Sequence, residues 1–233
     1  MPWYPRIADN DTLANPLRLI EVVDASLVVS SKCFLVYLRS SMLKSMSSLT
    51  LIVAATKSNG IGHNSKLPWR LPKEMAYFAR VTSNAPSGAC NAVIMGRNTW
   101  ESIPAKFRPL KNRVNVIVSR NASFDAGSGS VATSLQAAVE RAQSLGAHKT
   151  FMIGGASLYA ESLALGLVDR ILLTRILSPE FAECDVFMPE FRDGSWVRTG
   201  HDALQEWVEF DVAEGVQEES GVLYEFQMWV RSS

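Results

Sequence analysis

The sequence predicts an α/β fold, a mixed and mostly parallel central sheet flanked by helices and finished by a C-terminal antiparallel hairpin. Three observations carry this expectation. Several short runs are apolar throughout, as strands buried on both faces of a parallel sheet are. Helical stretches separate those runs, which layers helices against the sheet. Near the end the pattern changes to alternation, the mark of strands with one face in solvent.

Taken in order, strands are expected at 49–55, 91–95, 114–118, 150–153 and 170–175, short β-branched or aliphatic runs of which several are continuously apolar. Helices are expected over 71–82, in a short piece from Thr99, over 134–145 with Ser134 as N-cap, and over 156–165. Segments 207–212 and 223–230 alternate about a polar, glycine-containing turn and read as the terminal hairpin. Residues 125–130 are small and polar and read as a flexible loop, and no internal repeat is present.

A chain of 233 residues suits one good core plus an extension. The divide is expected near 46, with an N-terminal extension over 1–46 and the working domain over 47–233. Pro2, Pro5 and Pro16 open the extension, and its apolar run at 25–38 holds Lys32 near the centre and is shorter than the ~20 residues of a membrane span. Asp9, Asp11, Glu21 and Asp24 precede that run, unlike a secretory signal or a mitochondrial presequence. The extension reads as a weakly ordered arm, an added strand, or sequence upstream of a working start at Met46. Basic and acidic residues number 23 each, so no global basic field attracts nucleic acid. Cys33, Cys90 and Cys184 are an odd, scattered set that fits free thiols, and no Cys or His pair has zinc-ligand spacing, so no metal is expected.

Chemistry is expected at four places. Gly60-Ile61-Gly62 follows a strand, but Ser65 stands where a dinucleotide turn needs its third glycine, and Pro68 and Pro72 forbid an immediate long helix. It reads as a mobile loop over a cleft or as an ordinary turn. Met95-Gly96-Arg97-Asn98-Thr99-Trp100 joins a strand to a helix whose free N–H groups and Arg97 suit a phosphate; a capped helix with a surface arginine is the plainer reading. Ile153-Gly154-Gly155-Ala156-Ser157-Leu158-Tyr159 repeats the junction, as a ligand approach or a tight turn, and Val118-Ser119-Arg120 ends a third strand. Parallel pairing puts these ends on one edge, where open α/β sheets bind ligands. Glu74 sits among Met75, Ala76, Tyr77 and Phe78, with Phe78 one turn away, as a site carboxylate or as a solvated surface acid.

Together these motifs closely resemble the dihydrofolate reductase family. The resemblance runs from Leu49 to the C-terminus, through Gly60-Ile61-Gly62, Leu67-Pro68-Trp69, the stretch 93–104, Arg108-Pro109-Leu110, Arg113, Val118-Ser119-Arg120, Ile153-Gly154-Gly155, Tyr159, Leu173-Thr174-Arg175 and Asp185-Val186-Phe187-Met188-Pro189. Each motif is weak alone, and the ordered set is strong. The Arg-Pro-Leu segment and the loop sizes look like the eukaryotic branch and a fungal source.

The resemblance implies a single-domain dihydrofolate reductase-like fold and NADPH-dependent reduction of dihydrofolate to tetrahydrofolate, supplying one-carbon metabolism and thymidylate synthesis, with antifolates such as methotrexate and trimethoprim as inhibitors. It implies a monomer in the cytoplasm, a mitochondrial pool left open, with no membrane or nucleic-acid partner. Carried over residue by residue, Glu74 grips the pterin, oriented by Thr174 and coupled through water to Trp69. Ile52, Val53, Met75, Phe78, Ile103, Leu110, Ile153 and Tyr159 line the substrate, with carbonyls of Ile52 and Ile153 offered to the pterin amine. Arg113 forks onto the tail carboxylate. Ala54, Ile61, Gly62 and Tyr159 surround the nicotinamide. Gly96, Arg97, Asn98, Thr99, Ser119 and Arg120, with Ile153, Gly154, Gly155, Ala156, Ser157 and Leu158, hold the phosphates, and the Gly154–Gly155 bond is expected cis. Met75 and Phe107 depart from the vertebrate pattern, so the tail-binding wall should differ in shape. A riboflavin-pathway reductase of similar fold would not require Leu67-Pro68-Trp69, Glu74 and Arg113 together, and a nucleotide-binding module without catalysis would not need Glu74.

Overall fold

The computed structural model describes residues 49–232; the expected extension at 1–46 and the start at Met46 lie outside the described residues. The central sheet is built from β1 (Leu49–Thr56), β3 (Cys90–Gly96), β4 (Arg113–Val118), β5 (Ser130–Ala132), β6 (Ala147–Gly154), β7 (Val168–Ser178), β9 (Trp196–Arg198), β10 (Gln217–Glu219) and β11 (Val222–Arg231). Its order is β10-β11-β7-β1-β6-β3-β4-β5, with β9 also paired to β11. From β7 to β5 every pairing is parallel, and β11 runs antiparallel beside β7. β2 (Gly60–Gly62) and β8 (Val186–Phe187) form a separate two-stranded sheet.

The continuously apolar runs are the strands they were expected to be. In β1, Leu49, Leu51, Val53 and Ala55 feed one core while Ile52 feeds the other, as period-2 alternation requires of a strand covered on both faces. Helices α1 (Pro72–Ser83), α2 (Arg97–Ser102), α3 (Leu135–Ser144), α4 (Ala156–Ala164) and α5 (His201–Val208) cover the faces. Ser134 caps α3 as expected, its Oγ accepting from the Ala137 N–H at 3.1 Å.

One expected strand is not a strand. Segment 207–212 does not pair with β11; the hairpin partner is β10, in register Glu219↔Val222. Residues 201–208 form α5, which buries Leu204 and Val208, an i, i+4 pair, and ends where Glu209 turns left-handed at φ 64°. Val208 and Val212 do point inward, as the alternation across 207–212 requires, but the backbone between them has no neighbouring strand.

Candidate active site

α1 sets the site. Pro72 stands at its first position, where the missing N–H is harmless, and Glu74, Tyr77, Val81 and Thr82 form its buried stripe. Glu74 is only 6% exposed. The Thr174 hydroxyl on β7 donates to Glu74 Oε1 at 3.1 Å. Register places Thr174 between Ala54 on β1 and Phe226 on β11, so the hydroxyl is held in the middle of the sheet. Burial pushes the Glu74 carboxyl up to about 7; the Thr174 bond opposes this and the charge of Glu219 adds to it. Trp69 is buried edge-on against Phe181, 5.2 Å between centroids, and its indole N–H meets no protein acceptor among the described residues. Sequence reasoning gave Tyr77 no role, yet it lies one turn from Glu74 and its hydroxyl is pushed up by burial and by the Glu74 charge. Its i+3 spacing was the available signal.

Ile52, Phe78, Ile103, Leu110 and Ile153 all belong to one apolar cluster on the same face as Tyr77. Val53 is a correction: its side chain lies in the core of the opposite face, because neighbouring strand residues alternate, and only its backbone reaches the Ile52 side. Tyr159 is likewise on the far face, but its hydroxyl donates to the Ile52 carbonyl at 3.1 Å. Met75 and Phe107 stand on the outer surface, 48% and 55% exposed.

Arg113 opens β4, and its Nη1 donates to Thr82 Oγ1 at 2.6 Å while Nε donates to the Lys111 carbonyl at 3.0 Å. Burial lowers its pKa, and it has no carboxylate partner among the described residues. Thr82 lies eight residues beyond Glu74, or ~12 Å along the helix at 1.5 Å per residue. One helix therefore joins the buried acid to the guanidinium, with the apolar cluster between.

The two glycine junctions meet at one sheet edge. β3 and β6 are adjacent and parallel, Met95 pairs with Gly154, and a Cβ on Gly155 would come within 3.6 Å of the Gly96 nitrogen. A Cβ on Gly154 would fall 2.5 Å from Thr99 Cγ2. The Gly154–Gly155 bond is not among the cis bonds of the described residues, which are Arg108–Pro109 and Ser178–Pro179. The expected cis bond is thus trans, and the chain reverses instead through Gly155, whose φ of 105° is open to glycine. Neither α2 nor α4 has a side-chain cap on its first N–H groups. Ala156 is half-buried, Ser157 exposed, and Leu158 buried against both glycine strand ends.

Gly96 pairs with Val118, which sets Arg97 and Ser119 side by side just past the strands. Ser119 is buried with its hydroxyl accepting from the Asn121 N–H at 3.2 Å; Asn98 and Arg120 are exposed, and Arg97 lies 3.8 Å from Glu101. Ala54 and Ile61 are half-buried and Gly62 buried. Gly60-Ile61-Gly62, expected as a loop, is the strand β2, because its glycines pair with Val186 and Phe187. Asp185 fastens the end of β2 and the turn beyond it: its N–H donates to the Gly62 carbonyl at 3.0 Å and its carboxylate accepts from the Asn64 N–H at 3.0 Å.

Arg175, part of a motif but given no role from sequence, is 5% exposed. Its guanidinium donates to the Thr56 carbonyl and, at 3.2 Å, to Asn59 Oδ1, tying β7 to the turn between β1 and β2. A surface cleft of about 550 Å³ borders Trp69 on its Pro68, Arg70, Phe181 and Val222 side and is lined by none of Glu74, Thr174 or Arg113.

The dihydrofolate reductase family model matches residues 48–213. The dihydrofolate reductase of Pneumocystis carinii is 45% identical over 201 residues, covering 79% of this chain and 97% of that protein. That of Cryptococcus neoformans is 45% identical over 221 residues, covering 78% and 94%. Among solved structures, Schistosoma mansoni dihydrofolate reductase superposes with a TM-score of 0.68 at 34% identity, covering 80% of this chain and 99% of that one.

Proposed function

Because this chain belongs to the dihydrofolate reductase family, we propose that it reduces 7,8-dihydrofolate to 5,6,7,8-tetrahydrofolate with NADPH as reductant. The observation that carries the reading is a buried carboxyl, Glu74, fixed by Thr174 at one end of an apolar cluster whose other end is Arg113.

Glu74 grips the amino group and ring N–H of the pterin. Thr174 occupies one of its oxygens and so orients the other. A carboxyl with a pKa near 7 is shared between its two protonation states at neutrality, which suits a group that helps a proton reach the substrate's ring nitrogen. Ile52, Phe78, Ile103, Leu110 and Ile153 exclude water from the ring, and exclusion strengthens the remaining polar contact. Arg113 meets the tail carboxylate, the partner its half-buried guanidinium otherwise lacks among the described residues.

The strand ends fit a dinucleotide. Glycine at 154 leaves room where a side chain would collide with Thr99, glycine at 155 takes a φ of 105° that other residues rarely adopt, and uncapped N–H groups open α4. Gly96 to Thr99 and Gly154 to Leu158 would hold the pyrophosphate, Arg97, Ser119 and Arg120 the adenosine phosphate, and Ala54, Ile61, Gly62 and Tyr159 the nicotinamide end. When bound, NADPH supplies the hydride. Antifolates with a protonated pyrimidine or pteridine ring bind because their cation meets Glu74 as a carboxylate.

The test is the loss of NADPH absorbance in the presence of dihydrofolate. Oxidation that requires dihydrofolate and stops with methotrexate is expected; its absence in a folded protein overturns the reading. Arg97→Ala or Arg120→Ala should weaken NADPH and spare NADH, and equal weakening of both cofactors would refute the phosphate assignment.

A further inference from the structure

We propose that Glu219, on the terminal hairpin, is a positioning residue for Glu74: its carboxylate caps the first turn of α1 and fixes both the seat and the electrostatic surroundings of the Glu74 side chain. The inference rests on the reading of Glu74 as the carboxyl that meets the pterin.

The first turn of α1 cannot cap itself. Leu71 at the N-cap has no side-chain acceptor to offer, and Pro72 has no N–H, so Lys73 carries the first free backbone donor. Its N–H donates to both oxygens of Glu219, at 2.9 and 3.1 Å, from a residue 146 positions away. Glu219 is in turn held by the Tyr224 hydroxyl, which donates to Oε2 at 3.3 Å, and Tyr224 is 1% exposed. The strand that carries Tyr224 is β11, which also sets Phe226 opposite Thr174. Glu74 is therefore held from two sides through one strand, by Thr174 at its own oxygen and by Glu219 at the residue before it.

The same carboxylate places a negative charge beside the helix turn that bears Glu74. Glu219 faces Lys73 and Glu74 from α1 and Tyr224 from β11, with Glu218 next to it on β10; Glu74 itself faces Thr174 from β7, Tyr224 from β11 and Tyr77 on its own helix. Burial, then Glu219 and Glu74, push the Tyr224 hydroxyl up to about 12, and burial also raises that of Tyr77, so both stay neutral where Glu74 titrates. Glu219 is the neighbouring anion, and its charge opposes ionisation of Glu74.

Two measurements on the full chain test this. In Glu219→Gln, which keeps an acceptor for the Lys73 N–H and loses the charge, the Glu74 carboxyl followed by carbon-13 NMR should titrate lower by roughly a few tenths of a pH unit. The alkaline limb of kcat/KM for dihydrofolate should move the same way, and Glu219→Asp, which keeps the charge, should leave both near their wild-type positions. A lowered Tm with the titration unmoved in Glu219→Gln means a structural role alone and overturns the proposal. A wild-type chain without turnover overturns the functional reading, whereas the NMR titration still decides whether Glu219 acts on Glu74.

Discussion

Thr174 and Glu74 lie 100 residues apart in sequence and 3.1 Å apart in the fold, hydroxyl to carboxylate, with both side chains buried. Replacing Thr174 by Val keeps the shape and removes the donor. The bond stabilises the ionised acid, so its loss should raise the Glu74 pKa further. A hydrogen bond to a charged group contributes about 1.5–3 kcal/mol, so kcat/KM for dihydrofolate should fall roughly 10-fold or more, with the alkaline limb of its pH profile moved upward. Steady-state kinetics across pH checks both effects.

Glu74→Gln should cut turnover at least about tenfold while NADPH affinity stays nearly unchanged, the first read by steady-state assay and the second by direct titration. It also changes stability with pH. The Glu74 pKa rises from 4.5 in the unfolded reference to about 7 in the fold, so the folded state binds the extra proton between those values. The stabilising contribution of the protonated acid is complete below pH 4.5 and is lost as pH rises through about 7. About 3 kcal/mol is at stake from a shift of this size. Urea unfolding of the ligand-free protein should show wild type losing stability over this window, and Glu74→Gln should lose less.

Arg113→Lys should raise KM for dihydrofolate roughly tenfold and leave kcat nearly unchanged. Lys cannot fork onto a carboxylate, and it cannot keep both the Thr82 and Lys111 bonds at the same geometry. A drop in kcat with KM unchanged would contradict the place given to Arg113.

Gly154→Ala should weaken NADPH and destabilise the fold by about 1–3 kcal/mol, because the new methyl falls 2.5 Å from Thr99 Cγ2. Adding Thr99→Ala removes the atom that collides and should restore part of the stability. A thermal-melt double-mutant cycle with no coupling would show that the clash is relieved in some other way.

The strands β1, β3, β4, β6 and β7 were legible because burial on both faces leaves an unbroken apolar run, and Ser134 announced α3 because a cap is a local device. Glu74 and Thr174 were legible through family motifs. What escaped had causes outside the local pattern. Segment 207–212 alternates as a strand would, yet the backbone there ends α5 and turns left-handed at Glu209, and it is β10 that pairs with β11. Val53 stands next to Ile52 in sequence but not in the wall of the site, since a pleated strand sends the two side chains to opposite cores. Glu219 and Arg175 act at 146 and 116 positions from Lys73 and Asn59, a separation at which one sequence carries no signal.

α1 also serves as a gauge. A helix does not stretch, so the interval from Glu74 to the Thr82–Arg113 pair is fixed whatever lies between them. A ligand with the right ring but a shorter or longer reach to its carboxylate must leave one end unpaired. With the ligand placed as proposed, selection among pteridines would be by length as well as by chemistry, and the exposed residues Met75 and Phe107 could vary without changing that measure.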